Sequence, residues 1–215
     1  MSAIKVEGLN KSFGDHQVLK NISFEVQDNS IVAITGPSGC GKSTLLNILG
    51  LIEKMDSGYV SILGKENVRL NSREALMMRR NIIGYVFQDF ALCENDTVEY
   101  NLKLALKYSK IKKRDIEKEI DNVLLKIGLP NVKKQKVCTL SGGEQQRVAL
   151  ARVLLKPCKI VLADEPTGNL DEDNKRIVFD LFKMLKNDGK TVIIVTHDHD
   201  LACKCDYTIQ LPNNR

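Results

Sequence analysis

Nine residues near the start of the chain have the types and spacing of a phosphate-binding loop. Residues 36–44 read G-x-x-x-x-G-K-S-T. Glycines let successive backbone N–H groups turn toward one anion, which residues with a Cβ do less readily. Lys42 adds a positive charge for the β- and γ-phosphates of a nucleotide, and Ser43 adds a hydroxyl for Mg²⁺. The residues assigned to nucleotide binding here are Gly36, Pro37, Ser38, Gly39, Cys40, Gly41, Lys42, Ser43 and Thr44.

The flanks of this loop decide whether the motif is a chance match. Residues 31–35 form a short apolar run rich in β-branched residues, which is typical of a buried strand. Residues 45–49 place apolar side chains on one helical face, and the helix should end near Gly50. A glycine-rich turn without chemical meaning would lack this strand–loop–helix context.

Polar side chains follow three other apolar runs that also predict buried strands. Gln88 follows residues 82–87, the pair Asp164 and Glu165 follows 159–163, and His197 follows 191–196. In open α/β sheets, ligands gather at the carboxyl ends of the strands. Paired acids at such a place are costly unless a cation or a reaction needs them.

These side chains suggest roles in phosphoryl chemistry. Asp164 suits Mg²⁺, and Glu165 suits a general base that polarises a water toward the γ-phosphate. Gln88 could reach the nucleotide, its metal or the attacking water, and His197 could bond the γ-phosphate and the catalytic carboxylate. Taken alone, Gln88 would be a loop residue and His197 a structural histidine.

A second helix start has the features of an anion site. Ser141, Gly142, Gly143 and Glu144 open a helix with an apolar stripe, so Ser141 is the expected cap and the glycine N–H groups are exposed. Standing alone, this would be an ordinary helix start. Phe13, beside Gly14 in a polar turn, could stack on a purine or make a local apolar contact.

Composition places the chain among ordinary globular proteins with one main core. Of 215 residues, 43% are hydrophobic and 27% charged. The first residues lack a signal-peptide core, and no uncharged apolar run approaches the roughly 18 residues of a spanning helix. We therefore expect a cytosolic protein that depends on a partner for any role at a membrane. The net charge is +5, but acidic residues are interspersed among the basic ones. This pattern favours a solvated surface over a nucleic-acid partner.

The order of the predicted elements indicates an α/β core with an insertion. Residues 4–9 and 17–26 alternate as strands, and so do 59–64. Between residues 89 and 156 the pattern becomes helical, with helices expected at 97–108, 114–127 and from Ser141 onward. We predict a single domain with a core at about 1–88 and 157–215 and a helical subdomain at about 89–156.

The ordered set of motifs resembles the ATP-binding cassette ATPases. It comprises the phosphate loop, Gln88, the run L-S-G-G-E at 140–144, Asp164–Glu165, G-N-L-D at 168–171, and His197. The resemblance covers residues 4–211 and is strongest to small subunits that serve lipoprotein-release, macrolide-export and antimicrobial-peptide-export permeases. It implies an α/β fold with a P-loop NTPase (RecA-like) core, an N-terminal antiparallel β subdomain and an inserted α-helical subdomain.

The resemblance also implies a reaction and its partners. It implies ATP and Mg²⁺ as cofactors, a second cassette subunit, expected to be a second copy, and a separate membrane permease that holds the protein at the cytoplasmic face of the cell membrane. Phe13 would stack on adenine; Ser43 and Gln88 would reach Mg²⁺, with Asp164 behind. Glu165 would be the base and His197 its γ-phosphate partner. Ser141 and Gly143 would close on the γ-phosphate of the other protomer, and Asp171 would connect the two sites.

Three departures from the family pattern and two alternative functions remain. Cys40 puts a thiol in the phosphate loop, where we expect alkylation to inhibit and ATP to protect. Tyr100 stands where the subgroup usually has Glu, and Cys93-Glu94 departs from its common loop; this region faces the membrane partner in relatives.

A cell-division ATPase would look similar. A P-loop kinase would leave residues 141–144 without a role.

Overall fold

A computed structural model describes residues 2–109, 111–168 and 170–212. Within these residues no helix is long and apolar enough to cross a membrane. The elements in chain order are β1 (Ser2–Phe13), β2 (His16–Gln27), β3 (Ile31–Thr35), α1 (Lys42–Leu49), β4 (Ser57–Ile62), β5 (Lys65–Glu66), α2 (Arg73–Asn81), β6 (Ile83–Val86), α3 (Val98–Leu106), α4 (Ile116–Lys126), α5 (Gly142–Leu155), β7 (Ile160–Asp164), α6 (Glu172–Asn187), β8 (Thr191–Val195), α7 (His199–Cys203) and β9 (Tyr207–Gln210).

A five-stranded parallel sheet forms the centre of the molecule, in the order β6-β7-β8-β3-β9. β3, β7 and β8 are almost entirely buried, as their continuous apolar runs require for a sheet covered on both faces. The register aligns Val86 with Ala163, and Asp164 with Val195. Because neighbouring parallel strands end at one edge, the segments after β6, β7, β8 and β3 lie side by side there.

The N-terminal strands form a separate antiparallel sheet in the order β2-β1-β4-β5. Ile4, Val6 and Leu9 on β1 are buried and belong to one hydrophobic cluster with α1 and one face of the parallel sheet. The cluster fixes the antiparallel sheet against the helix that carries the phosphate loop. β5 and α7 were not predicted, since a two-residue strand and a five-residue helix are too short for a periodic pattern.

Helices α3, α4 and α5 pack together and share a second hydrophobic cluster with the opposite face of the parallel sheet. On α4 the buried residues Ile120, Val123 and Leu124 lie on one face, as the i, i+3, i+4 spacing predicts. The helix expected at 114–127 begins as a 3₁₀ turn at Lys113–Asp115 and continues as α4. The predicted α/β architecture with an antiparallel sheet and a helical insertion is confirmed.

An ion-pair network joins α3 to α4 and to the segment before α5. Glu99, almost buried on α3, accepts hydrogen bonds from Lys103 and Lys134, both at 2.5 Å. Lys103 also pairs with Glu117 on α4 at 2.8 Å. Hydrogen bonds from Lys103 and Lys134 hold the pKa of Glu99 below its usual value, and Lys103 and Lys133 lower the pKa of Glu117 to about 2.

This network should make the helical subdomain sensitive to acid. Because both carboxyl pKa values are lower in the folded chain, the pairs stabilise it fully above about pH 4.5, and this stabilisation is lost as the pH falls toward 2. Glu99→Gln should lower the free energy of unfolding by about 1 kcal/mol at pH 6.5. The difference in urea midpoint between wild type and Glu99→Gln should shrink at pH 3. A constant difference would contradict this role, and the exposed Glu25→Gln serves as control.

Candidate active site

The phosphate loop connects β3 to α1, and its geometry requires glycine at the start of the helix. Gly41 has φ of 95°, and a Cβ there would lie 2.7 Å from side-chain atoms of Val18 and Leu19. Both factors exclude a larger residue. Lys42 begins α1, and its ammonium donates hydrogen bonds to the carbonyls of Gly36 at 2.9 Å and Pro37 at 3.0 Å. The positive charge is thereby fixed at the loop that the sequence assigned to phosphate.

Cys40 does not place its thiol among the phosphate-binding amides. The side chain is 5% exposed and belongs to the hydrophobic cluster below the loop. A Cβ on Gly36 would lie 2.8 Å from the Cys40 sulfur, so the thiol packs against the loop from the inside. This burial disfavours alkylation of Cys40 in the folded chain, and inhibition by alkylation with protection by ATP stays a prediction. The Cys40 backbone N–H donates to the Pro37 carbonyl at 3.3 Å.

Ser43 and Asp164 bring two oxygen donors together across the loop and β7. The Ser43 hydroxyl donates to Asp164 Oδ1 at 3.1 Å. Burial raises the pKa of Asp164, and the hydrogen bond from Ser43 opposes that shift. Hydroxyl and carboxylate oxygens are the ligands that Mg²⁺ prefers, and a divalent cation would offset the cost of burying this carboxylate. These two residues therefore fit a magnesium ion.

Glu165 and His197 form a second pair at the same edge of the sheet. His197 Nδ1 lies 2.9 Å from Glu165 Oε1, and the His197 backbone N–H donates to Oε2 at 3.3 Å. Glu165 has φ of 43°, an uncommon value for a residue with a side chain, and strained backbone of this kind clusters at active sites. The glutamate side chain is 14% exposed and the histidine 71%. A substrate could thus reach the histidine while the carboxylate stays oriented.

Gln88 lies two residues beyond β6 and is exposed. It lines a cleft of about 730 Å³ whose walls also include Asp164, Asp89 and Gln145. The structure therefore brings the strand-end residues Gln88, Asp164, Glu165 and His197 to the same edge as the phosphate loop. We predicted that these residues would meet because ligands gather at the carboxyl ends of the strands in open α/β sheets.

The second helix start is well formed and, among the described residues, makes no polar contact with the phosphate loop. Ser141 caps α5: its hydroxyl accepts from Glu144 N at 3.4 Å, and Glu144 Oε2 accepts from Ser141 N at 2.8 Å. The bond from Ser141 N holds the pKa of Glu144 below its usual value. Across residues 2–109, 111–168 and 170–212, no hydrogen bond or ion pair joins residues 141–144 to the phosphate loop.

Comparison with known proteins identifies this arrangement. The family model described as "ABC transporter" matches residues 19–168. This chain belongs to the ABC transporter family. The lipoprotein-releasing system ATP-binding protein LolD of Bacteroides thetaiotaomicron is 40% identical over 209 residues, which cover 97% of this chain and 96% of LolD. The macrolide export ATP-binding/permease protein MacB of Mannheimia succiniciproducens is 38% identical over 98% of this chain, which spans only 33% of MacB.

A solved structure supports the same assignment at the level of the fold. The dimeric structure of a post-hydrolysis state of the ATP-binding cassette MJ0796 bound to ADP and Pi matches with a TM-score of 0.88. It is 36% identical, and the match covers 97% of this chain and 94% of that one. The protein is therefore an ABC ATPase cassette that binds and hydrolyses ATP.

In this cassette a network that the sequence did not reveal joins α5 to the segment containing Asp171. Asp171 caps α6 by accepting from Asn174 N at 2.8 Å, and its carboxylate also accepts from the Asn174 amide. Arg147 on α5 donates to Asn174 Oδ1 at 2.7 Å. A Cβ on Gly143 would lie 2.6 Å from that amide, so glycine is required there for packing. The i, i+3 spacing of Asp171 and Asn174 was the only available signal.

A second unpredicted contact joins α6 to the segment after His197. Lys175 on α6 pairs with Asp198 at 3.0 Å, and Asp198 caps α7 by accepting from Leu201 N at 3.1 Å. The hydrogen bond from Leu201 N and the partner Lys175 hold the pKa of Asp198 below its usual value despite partial burial. No sequence pattern links residues 175 and 198, since only the tertiary fold brings them together.

Phe13 lies where β1 turns into β2, and its ring is 49% exposed. The Lys11 ammonium lies 4.6 Å from the ring centroid, so the ring is held in place beside a positive charge. The adenine contact of Phe13 remains a prediction. An exposed, oriented ring is suited to stacking on a flat base.

Phe13→Ala should weaken ATP binding by about 1–3 kcal/mol, because it removes one base–aromatic contact. Isothermal titration with ATP and with inorganic tripolyphosphate separates the base from the phosphates. The dissociation constant should rise for ATP and stay unchanged for tripolyphosphate. Equal changes for both ligands would show that Phe13 supports the loop rather than the base.

Proposed function

We propose that this cassette is the ATPase subunit of an export transporter and works as a dimer of identical chains. Each MgATP is held between the phosphate loop of one copy and the α5 start of the other. The dimer drives a separate membrane permease that exports a peptide, a lipoprotein or a drug-like molecule. It acts at the cytoplasmic face of the membrane, where it is held by the permease.

The lack of a polar contact between the two anion sites within one described chain supports the dimer proposal. The strand-end residues and the phosphate loop meet at one edge of the sheet, yet residues 141–144 make no polar contact with that loop among the described residues. A two-fold axis would place the α5 start of a second copy over the loop and produce two equal composite sites. The dimeric form of MJ0796 is consistent with this arrangement.

Within each composite site the residues have distinct roles. Lys42 and the loop amides bind the β- and γ-phosphates, while Ser43, Gln88 and Asp164 hold Mg²⁺, which neutralises phosphate charge. Glu165 takes a proton from the attacking water, and His197, bonded to Glu165 at 2.9 Å, orients that carboxylate and contacts the γ-phosphate. Ser141 and Gly143 of the other copy bind the γ-phosphate, so its release would separate the copies.

A mixing experiment tests the composite sites. Lys42→Ala disables the loop and Ser141→Arg disables the α5 start, so neither variant alone should hydrolyse ATP at the wild-type rate. A mixed dimer of the two contains one intact site, because the intact loop of one variant meets the intact α5 start of the other. Random mixing should restore about a quarter of the wild-type sites. Activity equal to the sum of the separate variants would contradict the dimer model.

The permease is proposed to bind in a groove between α2, β6, α3 and α5. The groove is about 350 Å³ in volume, and Leu104 and Tyr108 expose apolar surface in it. The groove residues that carry charge are all cations: Arg79, Arg80, Arg152 and Lys156. These features favour an apolar segment of the permease with acidic residues.

A photo-crosslinking residue tests this surface in the membrane. Placed at Leu104, it should crosslink to an integral membrane protein in membrane vesicles prepared from cells that make this protein. The matched position Leu125, which is exposed on α4 outside the groove, should not. Crosslinks from Leu125 but not from Leu104 would place the permease on another face.

A further inference from the structure

Immediately after Gln88 the chain makes a strained turn. Phe90 and Ala91 have φ of 62° and 47°, in the left-handed region that residues with a Cβ seldom occupy. Phe90 N donates to the Phe87 carbonyl at 3.1 Å, and Ala91 N to the Asp89 carbonyl at 2.7 Å. Two successive residues in this conformation persist only where surrounding contacts hold them. The turn is therefore expected to relax when those contacts are lost.

Arg152 on α5 supplies the contacts. Its two terminal nitrogens donate to the Phe90 carbonyl at 2.5 Å and to the Ala91 carbonyl at 2.6 Å. The planar guanidinium presents two N–H donors to the two carbonyls in a rigid fork, whereas a lysine ammonium on its flexible stem is not pre-organised in this way. Across residues 2–109, 111–168 and 170–212, no carboxylate lies within ion-pair distance of Arg152, and burial lowers its pKa. Its polar contacts in the described chain are thus those of the strained turn.

The location of Arg152 connects three parts of the cassette. It lies on the same continuous helix as Ser141 and Gly143, which open α5. It also lines the groove in which Leu104 and Tyr108 are exposed. A movement of α5, or a ligand in the groove, would therefore shift the same guanidinium and with it the turn that follows Gln88.

We propose that Arg152 is a positioning residue for Gln88. By holding the strained turn at Phe90 and Ala91, it places the Gln88 amide at the edge of the nucleotide site and couples that placement to α5. The inference rests on the role proposed above for Gln88. Arg152 acts through the two backbone carbonyls to which it donates, those of Phe90 and Ala91.

A double-mutant cycle tests the coupling. Arg152→Gln should lower kcat by about 10- to 100-fold, since a shift of about 1 Å in an active-site group can have that effect. The KM for ATP should stay within about twofold, because the phosphate loop is untouched. In the Gln88→Ala background, Arg152→Gln should cause little further loss. Arg114→Gln, an exposed arginine in the helical subdomain, is the matched control and should behave as wild type.

The outcomes separate this inference from the proposed function. If Gln88→Ala alone retains the wild-type kcat, the role of Gln88 fails and the inference fails with it. If Gln88→Ala is impaired, but Arg152→Gln lowers kcat by the same factor in the Gln88→Ala background as in the wild type, only the positioning role is overturned. In that outcome the two changes in activation free energy are additive, which would mean that Arg152 stabilises the fold independently of Gln88.

A milder pair of variants keeps the test valid if Arg152→Gln does not fold. Arg152→Lys keeps the charge but loses the rigid fork of donors, so the turn should be held less firmly and kcat should fall by about 3- to 10-fold. Ala91→Gly removes the backbone strain at residue 91, one of the two strained positions, because glycine adopts positive φ freely. Adding it to Arg152→Lys should recover at least about half of the lost kcat if strain causes the loss. A wild-type kcat for Arg152→Lys, or no recovery of kcat in the double variant Arg152→Lys with Ala91→Gly, would overturn the proposal.

Discussion

Glu165→Gln is expected to lower ATP hydrolysis by about 10²–10⁴-fold while ATP binding is retained. The carboxylate is almost buried, and His197 holds it by two contacts, at 2.9 Å and 3.3 Å. A carboxamide keeps the size and can still accept a hydrogen bond from His197, so the site should stay assembled. It cannot take a proton from water, so the reaction should stop with the γ-phosphate in place. Steady-state phosphate release measures the loss.

The same variant should accumulate as an ATP-bound dimer. In the proposed site the γ-phosphate holds the α5 start of the second copy, so a chain that binds but does not hydrolyse ATP stays paired. Size-exclusion chromatography should show a dimer with MgATP and a monomer with MgADP. Glu25→Gln, a matched change at an exposed position on β2, should hydrolyse ATP normally and show no stable dimer. Unchanged turnover of Glu165→Gln would remove this residue from the role of base.

Much of the site could be predicted because its residues directly follow strands that local apolar runs reveal. The apolar runs before Gln88, Asp164 and His197 form β6, β7 and β8, and these strands are neighbours in the parallel sheet. A short polar segment after a buried strand has little freedom, so the strand fixes where its residue lies. The sequence therefore indicated which side chains meet, although it gave none of the distances between them.

Contacts made across helices could not be predicted, because they depend on packing rather than on periodicity. Arg152 and Arg147 both lie on α5, yet one bonds the turn after Gln88 and the other bonds Asn174 on α6. Residue type alone does not distinguish these from solvent-exposed arginines. Cys40 shows the same limit at the phosphate loop: its position in the motif was clear, but the direction of its side chain was set by the core below.

Lys42→Ala is expected to weaken ATP binding by about 1.5–3 kcal/mol, or about 10- to 150-fold, since it removes a charge-assisted contact to phosphate. The structure raises a second explanation, because the same ammonium donates to the carbonyls of Gly36 and Pro37 and its loss could loosen the loop. Comparing nucleotides separates the two. A direct contact with the β- and γ-phosphates should weaken ATP most, ADP less and AMP hardly at all, whereas a loosened loop should weaken all phosphates together. Titration calorimetry gives the three affinities, with the exposed Lys54→Ala as control. ATP affinity equal to the wild type would contradict the assignment of Lys42.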